Sequence, residues 1–260
     1  MSYQNILSEV KANILYVTIN RESKLNALNK ETLAELADVI AFASRTEEVR
    51  GVLLTGAGEK AFVAGADISE FSAYNTEQGE ALARSGQVNV FDAIENSKKP
   101  FVAAINGFAL GGGLELAMAC HIRVAADTAK MGLPEVTLGL IPGYGGTQRL
   151  TRLVGKGRAT EMITTADMIT AERAEKIGLV NHVVPLAELI GKAEEILNKI
   201  KQRAPLAVAA AINAVNAAVN ERVNGFEVEI EEFGKCFGTQ DFKEGVGAFL
   251  EKRRADFKGR

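Results

Sequence analysis

FVAAINGFALGGGLELAMACHIR, residues 101–123, places a buried strand, a run of three glycines and an apolar helix end to end. Phe101–Ile105 is short, apolar and closed by Asn-Gly, the mark of a fully buried strand. Leu114–Cys120 reads as a buried helix, and Gly111, Gly112 and Gly113 would let its N-terminus approach a ligand closely. Free N–H groups in a first helical turn, backed by the positive end of the helix dipole, suit a carbonyl oxygen that gains negative charge. Gly112 is the natural donor. Glu115 lies in the same turn, where it serves equally as a tuned acid or as a glutamate that stabilises the dipole; this segment alone leaves both readings open.

Outward from this stretch, short apolar runs alternate with amphipathic segments. Ile14–Ile19, Gly51–Thr55, Ile122–Ala125 and Leu179–Val184 read as further buried strands. Lys30–Ser44 carries Leu33, Leu36, Ala37 and Ile40 at helical spacing, Thr76–Ile94 is a second helix that packs better at its ends than at Gly86, and Ala171–Lys176 is a third with Thr170 as N-cap. The alternation predicts an α/β fold with largely parallel pairing. From Leu186 onward helical patterns take over at 186–204, 205–220 and 225–236. The change of character between 185 and 204 divides the chain into an α/β core, 1–195, that carries the site, and a helical, oligomerising region, 196–260.

A second glycine-dense stretch, GLPEVTLGLIPGYGGTQRL (132–150), holds Glu135 behind Pro134 with no cationic partner in view. Desolvation raises the pKa of such a carboxyl, as a general acid requires. A third, GEKAFVAGADISEF (58–71), breaks at Gly65 and offers exposed amides for an oxyanion pocket, although AGAD also reads as an ordinary strand-to-helix turn capped by Asp67 or Ser69. Two carboxyls next to an amide pocket make a proton-transfer site.

Composition narrows the chemistry. The chain has 260 residues, 47% of them hydrophobic, enough for one sizeable core without disulfides. A net charge of -3 gives no global basic surface for nucleic acid or an anionic bilayer. Two isolated cysteines, no leader-like N-terminus and no run approaching about 18 apolar residues predict a cytoplasmic protein without a membrane segment. There is no phosphate-binding G-x-x-x-x-G-K-[ST], no dinucleotide fingerprint, no H-E-x-x-H and no G-x-S-x-G. His121, at a helix end that favours positive charge, and His182, in a strand, read as structural, and nothing brings Ser69 to a histidine.

NRESKLNALN, KAFVAGADISEF, NGFALGGGLELAMACHIRVAAD, LPEVTLGLIPGYGGTQRL and A-x-x-A-x-x-x-G-L-V-N-x-V-V together resemble the enoyl-CoA hydratase/isomerase (crotonase) superfamily over most of the first 185 residues. EKRRADFKGR is similar to the family's C-terminal end, and His121, where many members carry Asp, is a peripheral departure. The resemblance implies a spiral of repeated ββα units with a C-terminal helical trimerisation region. It implies an acyl-CoA thioester as substrate, with its carbonyl held by the Ala66 and Gly112 amides. Glu115 would activate water and Glu135 would protonate the α-carbon. Ala64, Asp67 and Ile68 would meet the adenine end of CoA through backbone, with Lys24 and Ala27 along the nucleotide. No metal or cofactor is implied beyond the CoA of the substrate, and the partner is a second copy of the chain in a trimer or hexamer. With both acids present, the likeness is closer to a hydratase than to a Δ3,Δ2-enoyl-CoA isomerase. A noncatalytic acyl-CoA- or RNA-binding relative is the alternative of another class, and the acidic balance with an intact acid pair weighs against it.

Overall fold

In the computed structural model, which describes residues 3–260, the chain repeats one unit: a long strand, a short strand, then helix. A hairpin, β1 (Ile6–Lys11) and β2 (Ile14–Ile19), leads to α1 (Lys30–Arg45). The units follow as β3 (Gly51–Gly56), β4 (Ala61–Val63) and α2 (Thr76–Gly86), which runs through a π-helical turn, Gln87–Phe91, into α3 (Asp92–Glu95); then β5 (Phe101–Ile105), β6 (Phe108–Leu110) and α4 (Gly112–Ala119). Next come β7 (Ile122–Ala126), β8 (Lys130–Gly132), α5 (Gly146–Val154) and α6 (Lys156–Thr165), and then β9 (Ile169–Thr170), α7 (Ala171–Lys176) and β10 (His182–Val184). The chain closes with α8 (Leu189–Ile200), α9 (Pro205–Ala217), α10 (Gly225–Phe237) and α11 (Gln240–Leu250).

The long strands form one sheet in the order β1-β2-β3-β5-β7-β10, parallel except for the opening hairpin. The short ones form a second sheet, β4-β6-β8-β9, in which only β9 is antiparallel. Period-two alternation divides the long strands between two apolar clusters. Leu15, Val17, Val52, Leu54, Ala103 and Ile105 face the main core with α1 and α4. Ile14, Leu53, Val102, Ala104 and Val124 face the opposite cluster, closed by Leu189, Ala193 and Leu197 of α8. Both sheet faces are therefore covered, which is why FVAAI and GVLL are apolar without interruption. Each leucine, isoleucine or valine among them contributes roughly 1.5–3 kcal/mol by leaving water.

Several expectations are refined. Asn29 caps α1 by accepting from Thr32 N, and Thr170 caps α7 by accepting from Arg173 N. In the helix expected over 76–94, Val90, Phe91 and Ile94 at the C-terminal end are buried as expected, but Gly86 is closely packed too: an ideal Cβ there would stand 2.3 Å from the Tyr144 ring. The strand expected over 179–184 is only His182–Val184, because Leu179 and Val180 turn into the core after α7. His121 does not supply positive charge at the end of α4. Burial pushes it down to about 4, and its neutral Nδ1 accepts from Phe101 N at 2.9 Å.

The position expected for the boundary, 195, lies inside α8, whose Leu189, Ala193 and Leu197 are buried against the sheet. Beyond it, α9, α10 and α11 bury only Ala217, Asp241 and Ala248, while Phe226 and Phe249 are 81% and 82% exposed. Asp241 fastens the C-terminal end by accepting from Lys258 N and Gly259 N at 2.7 and 2.8 Å. Among the described residues, no helix is long and apolar enough to cross a membrane.

Candidate active site

The site is assembled where β4 and β6 end and α4 begins. Gly111 turns the chain with φ +49°, a conformation that only glycine adopts at little cost, and α4 starts at the next residue. Gly113 brings this helix N-terminus flush against β4: an added Cβ would lie 1.9 Å from the Val63 carbonyl oxygen. Two buried asparagines that sequence reasoning missed hold the preceding loops together. Asn106 Nδ2 donates to the carbonyls of Gly56 and Gly58 at 3.0 and 2.7 Å, and Asn26 Nδ2 donates to Ala57 and Ala61 at 2.9 and 2.8 Å. Their signal is polarity inside an apolar surround, which becomes visible only once burial is known.

Leu28 and Ala66 form an isolated parallel bridge. In it Leu28 N donates to Gly65 O at 2.9 Å and Asp67 N donates to Leu28 O at 2.8 Å, so Ala66 has its own N–H on the side away from Leu28. Gly112 begins α4 and has no intrahelical acceptor. Neither N–H is bonded to a protein acceptor among the described residues. The two segments adjoin: ideal Cβ positions lie 3.7 Å from Leu110 O for Gly65 and 3.6 Å from the Leu28 side chain for Gly112. Spare backbone donors at a dry helix N-terminus stabilise an oxyanion.

Glu115 is 1% exposed. Its Oε1 accepts from Tyr144 N at 2.8 Å and Gly146 N at 2.7 Å, so the carboxylate is engaged by the loop before α5 and not by its own helix terminus. Burial first, then the charge of Glu135, pushes its pKa up to about 7, against the pull of those two N–H groups and of Arg149. Glu135 opens a short 3-10 turn, Glu135–Leu138, behind Pro134. Burial raises its pKa too, and its Oε2 is buried with no hydrogen-bond partner among the described residues. The other oxygen, Oε1, lies 2.7 Å from where a Gly111 Cβ would stand, so the second acid overhangs the start of α4. The structure thus brings Glu115, Glu135 and Gly112 together, with Ala66 on the adjoining segment. A buried acid oxygen without a partner carries a proton or awaits a ligand.

The remaining candidates sit on the two segments that the Leu28–Ala66 bridge joins. Lys24 is exposed at the end of a 3-10 turn, Glu22–Lys24, and Ala27 precedes the bridge. Ala64 N donates to Leu25 O at 3.0 Å, and Ile68 N has no acceptor among the described residues. Asp67 departs from expectation. Its N–H is taken by Leu28 and its carbonyl by Glu70, while its side chain pairs with Arg21 at 3.0 Å and accepts from Ser69 Oγ at 2.6 Å instead of capping the turn. Arg21, which sequence reasoning passed over, also donates to the Ala27 carbonyl and so ties the two segments together.

Comparison with known proteins agrees with this geometry. A family model described as Enoyl-CoA hydratase/isomerase matches residues 9–260. The chain is 49% identical over 262 residues to a short-chain-enoyl-CoA hydratase of Clostridium acetobutylicum, covering 100% of both chains. It is 46% identical to a crotonyl-CoA hydratase of Syntrophomonas wolfei, covering 99% of each. A crystal structure of enoyl-CoA hydratase from Bacillus anthracis superposes with a TM-score of 0.93 at 41% identity, covering 99% of this chain and 100% of that one.

Proposed function

Since this chain belongs to the enoyl-CoA hydratase/isomerase family, we propose that it catalyses the reversible addition of water to a 2-trans-enoyl-CoA, giving a 3-hydroxyacyl-CoA. The observation that carries the reading is the pairing of two desolvated acids, Glu115 and Glu135, with the uncommitted N–H groups of Ala66 and Gly112. The thioester carbonyl accepts from both N–H groups. Glu115 takes a proton as the water oxygen bonds to the β-carbon. The electron pair of the double bond moves toward the carbonyl as an enolate, and protonated Glu135 returns a proton to the α-carbon. Each oxyanion donor contributes on the order of 3 kcal/mol to such a transition state. A base titrating near 7 is matched to neutral pH, and its titration is coupled to the charge of Glu135.

Lys24, Ala27, Ala64 and Ile68 receive the nucleotide portion of CoA, with Asp67 acting through Arg21. The substrate brings the only coenzyme required, and no metal takes part. The names of the two relatives support a short acyl chain, with crotonyl-CoA first in the series. The exposed phenylalanines of α10 and α11 support assembly into a homotrimer or hexamer, and the two free cysteines support a cytoplasmic setting.

Loss of 2-enoyl thioester absorbance over a chain-length series tests the reading: hydration is expected in the wild type and collapses in Glu115→Gln. Absence of hydration at every chain length refutes it. A Glu115→Gln variant that still moved a 3-enoyl double bond to the 2-position at the wild-type rate would turn the assignment toward isomerisation.

A further inference from the structure

The backbone that holds Glu115 is itself held from behind. Along Gly143–Gly146, two N–H groups point to the acid and two carbonyls point to side chains behind it, while Gly145 O accepts from Gln148 N and Arg149 N in the first turn of α5. Gly143 O accepts from Gln87 Nε2 at 2.6 Å, Tyr144 N donates to Glu115, Tyr144 O accepts from Arg149 Nη1 at 2.9 Å, and Gly146 N donates to Glu115. Gln87 opens the π-helical turn between α2 and α3, and π-turns are rare and concentrate at functional sites. Arg149 is 5% exposed, with Nη2 at 2.6 Å from both Asp92 Oδ1 and Glu95 Oε2 on α3. The Tyr144 ring stacks on Phe91 of the same π-turn at 4.7 Å, which fixes the loop from a third direction.

We infer that Gln87 and Arg149 are positioning residues for Glu115: anchored on the π-turn and on α3, they hold the Gly143–Gly146 backbone so that two N–H groups converge on one oxygen of the acid. The inference deepens the hydration reading and rests on it. Neither residue touches the acid's hydrogen-bonding oxygen; each acts through one peptide carbonyl. Without a clamp, the Gly143–Tyr144 peptide, which carries the N–H bonded to Glu115 at 2.8 Å, is free to tilt. The Tyr144–Gly145 peptide loses the side-chain support that leads the chain to Gly146 N, whose own peptide is kept by Gly145 O accepting from Arg149 N at 2.9 Å. Both bonds to Glu115 lengthen, the first the more. Those bonds favour the charged form, so their loss moves the acid's titration to higher pH. The charged and titratable groups around Glu115 are Glu135 from the 3-10 turn, Tyr144 from the loop and Arg149 from α5, the last neutralised by Asp92 and Glu95, with Arg152 4.0 Å from Glu95.

The test uses the full-length enzyme with Gln87→Met, which keeps length but removes the donor, and Arg149→Lys, which keeps charge but removes the fork. Glu115 is titrated by NMR of side-chain-labelled glutamate, assigned with Glu115→Gln, and hydration is followed against pH. In both variants the Glu115 titration and the acid limb of kcat are expected to rise by about half a pH unit. kcat should fall about tenfold, with KM for crotonyl-CoA within about twofold. Should Arg149→Lys fail to fold, Gln87→Met decides alone. A folded Gln87→Met enzyme with wild-type titration and kcat overturns the inference, as does an Arg149→Lys enzyme that loses activity with no movement of either titration. Because the NMR titration needs no turnover, a wild type that hydrates nothing would refute the proposed function while this inference was still judged.

Discussion

Glu115→Gln should change how folding stability depends on pH, by an amount that the site itself sets. The acid rises from 4.5 to about 7 on folding, chiefly through burial. A carboxyl whose folded pKa is raised adds stability through its bound proton. That contribution is fully present below 4.5 and is lost as pH climbs through about 7. A shift of this size corresponds to roughly 3 kcal/mol, of which about 2.5 kcal/mol disappears between pH 5 and pH 8. The glutamine keeps an oxygen for Tyr144 N and Gly146 N but binds no titrating proton. Relative to wild type, the variant should therefore gain about 2.5 kcal/mol between the two pH values, whatever its stability at pH 5. Urea denaturation of both proteins at pH 5 and pH 8, at one fixed protein concentration because assembly contributes to stability, measures this difference of differences. Titrating groups other than Glu135, whose charge is coupled to Glu115, cancel between the two proteins, and repeating the comparison in a Glu135→Gln background removes that coupling. A gap between variant and wild type that is the same at both pH values would refute the idea that burial has raised this acid.

Glu135→Gln should lower kcat for crotonyl-CoA hydration by about a hundredfold to ten-thousandfold with little change in KM, as expected for a proton donor that does not hold the nucleotide; hydration within about threefold of wild type would remove Glu135 from the chemistry. Gly113→Ala forces a Cβ to 1.9 Å from Val63 O and should cost about 1–3 kcal/mol, read as a lower melting temperature, whereas Gly191→Ala in α8, with nothing within 4 Å, should be neutral or stabilising. Equal melting temperatures for the two variants would contradict the close approach of α4 to β4.

The parts of this fold that were legible in the sequence are those that a periodic pattern or a local cap determines. FVAAI, GVLLT and ILYVTI are strands because both faces are buried, and Lys30–Ser44 is a helix whose apolar stripe meets the core. Glu115 and Glu135 were found because acids amid glycine and apolar residues are conspicuous. The helix α5 was hidden because GTQRLTRLV follows glycines and a proline and reads locally as loop; Leu150 and Val154 reveal their helical role only by packing into the core. The division of the short strands into a second sheet was equally invisible, since three residues carry no period. Asp67 illustrates the limit at the site: its turn context predicts a cap, and it instead pairs with Arg21, 46 positions away in the chain. Gln87 left no trace in sequence because its partner is a main-chain oxygen.

In the proposed reading, the isolated bridge between Leu28 and Ala66 would link the two ends of a bound ester mechanically. Residues 24–27 closing on a nucleotide would then also steady the Ala66 amide proposed to face the carbonyl, and Arg21, fastened to Ala27 and Asp67, stiffens that joint. Grip on the inert handle of the substrate would thereby be converted into alignment at its reactive centre. A thioester trimmed to its pantetheine arm should then forfeit turnover as well as affinity.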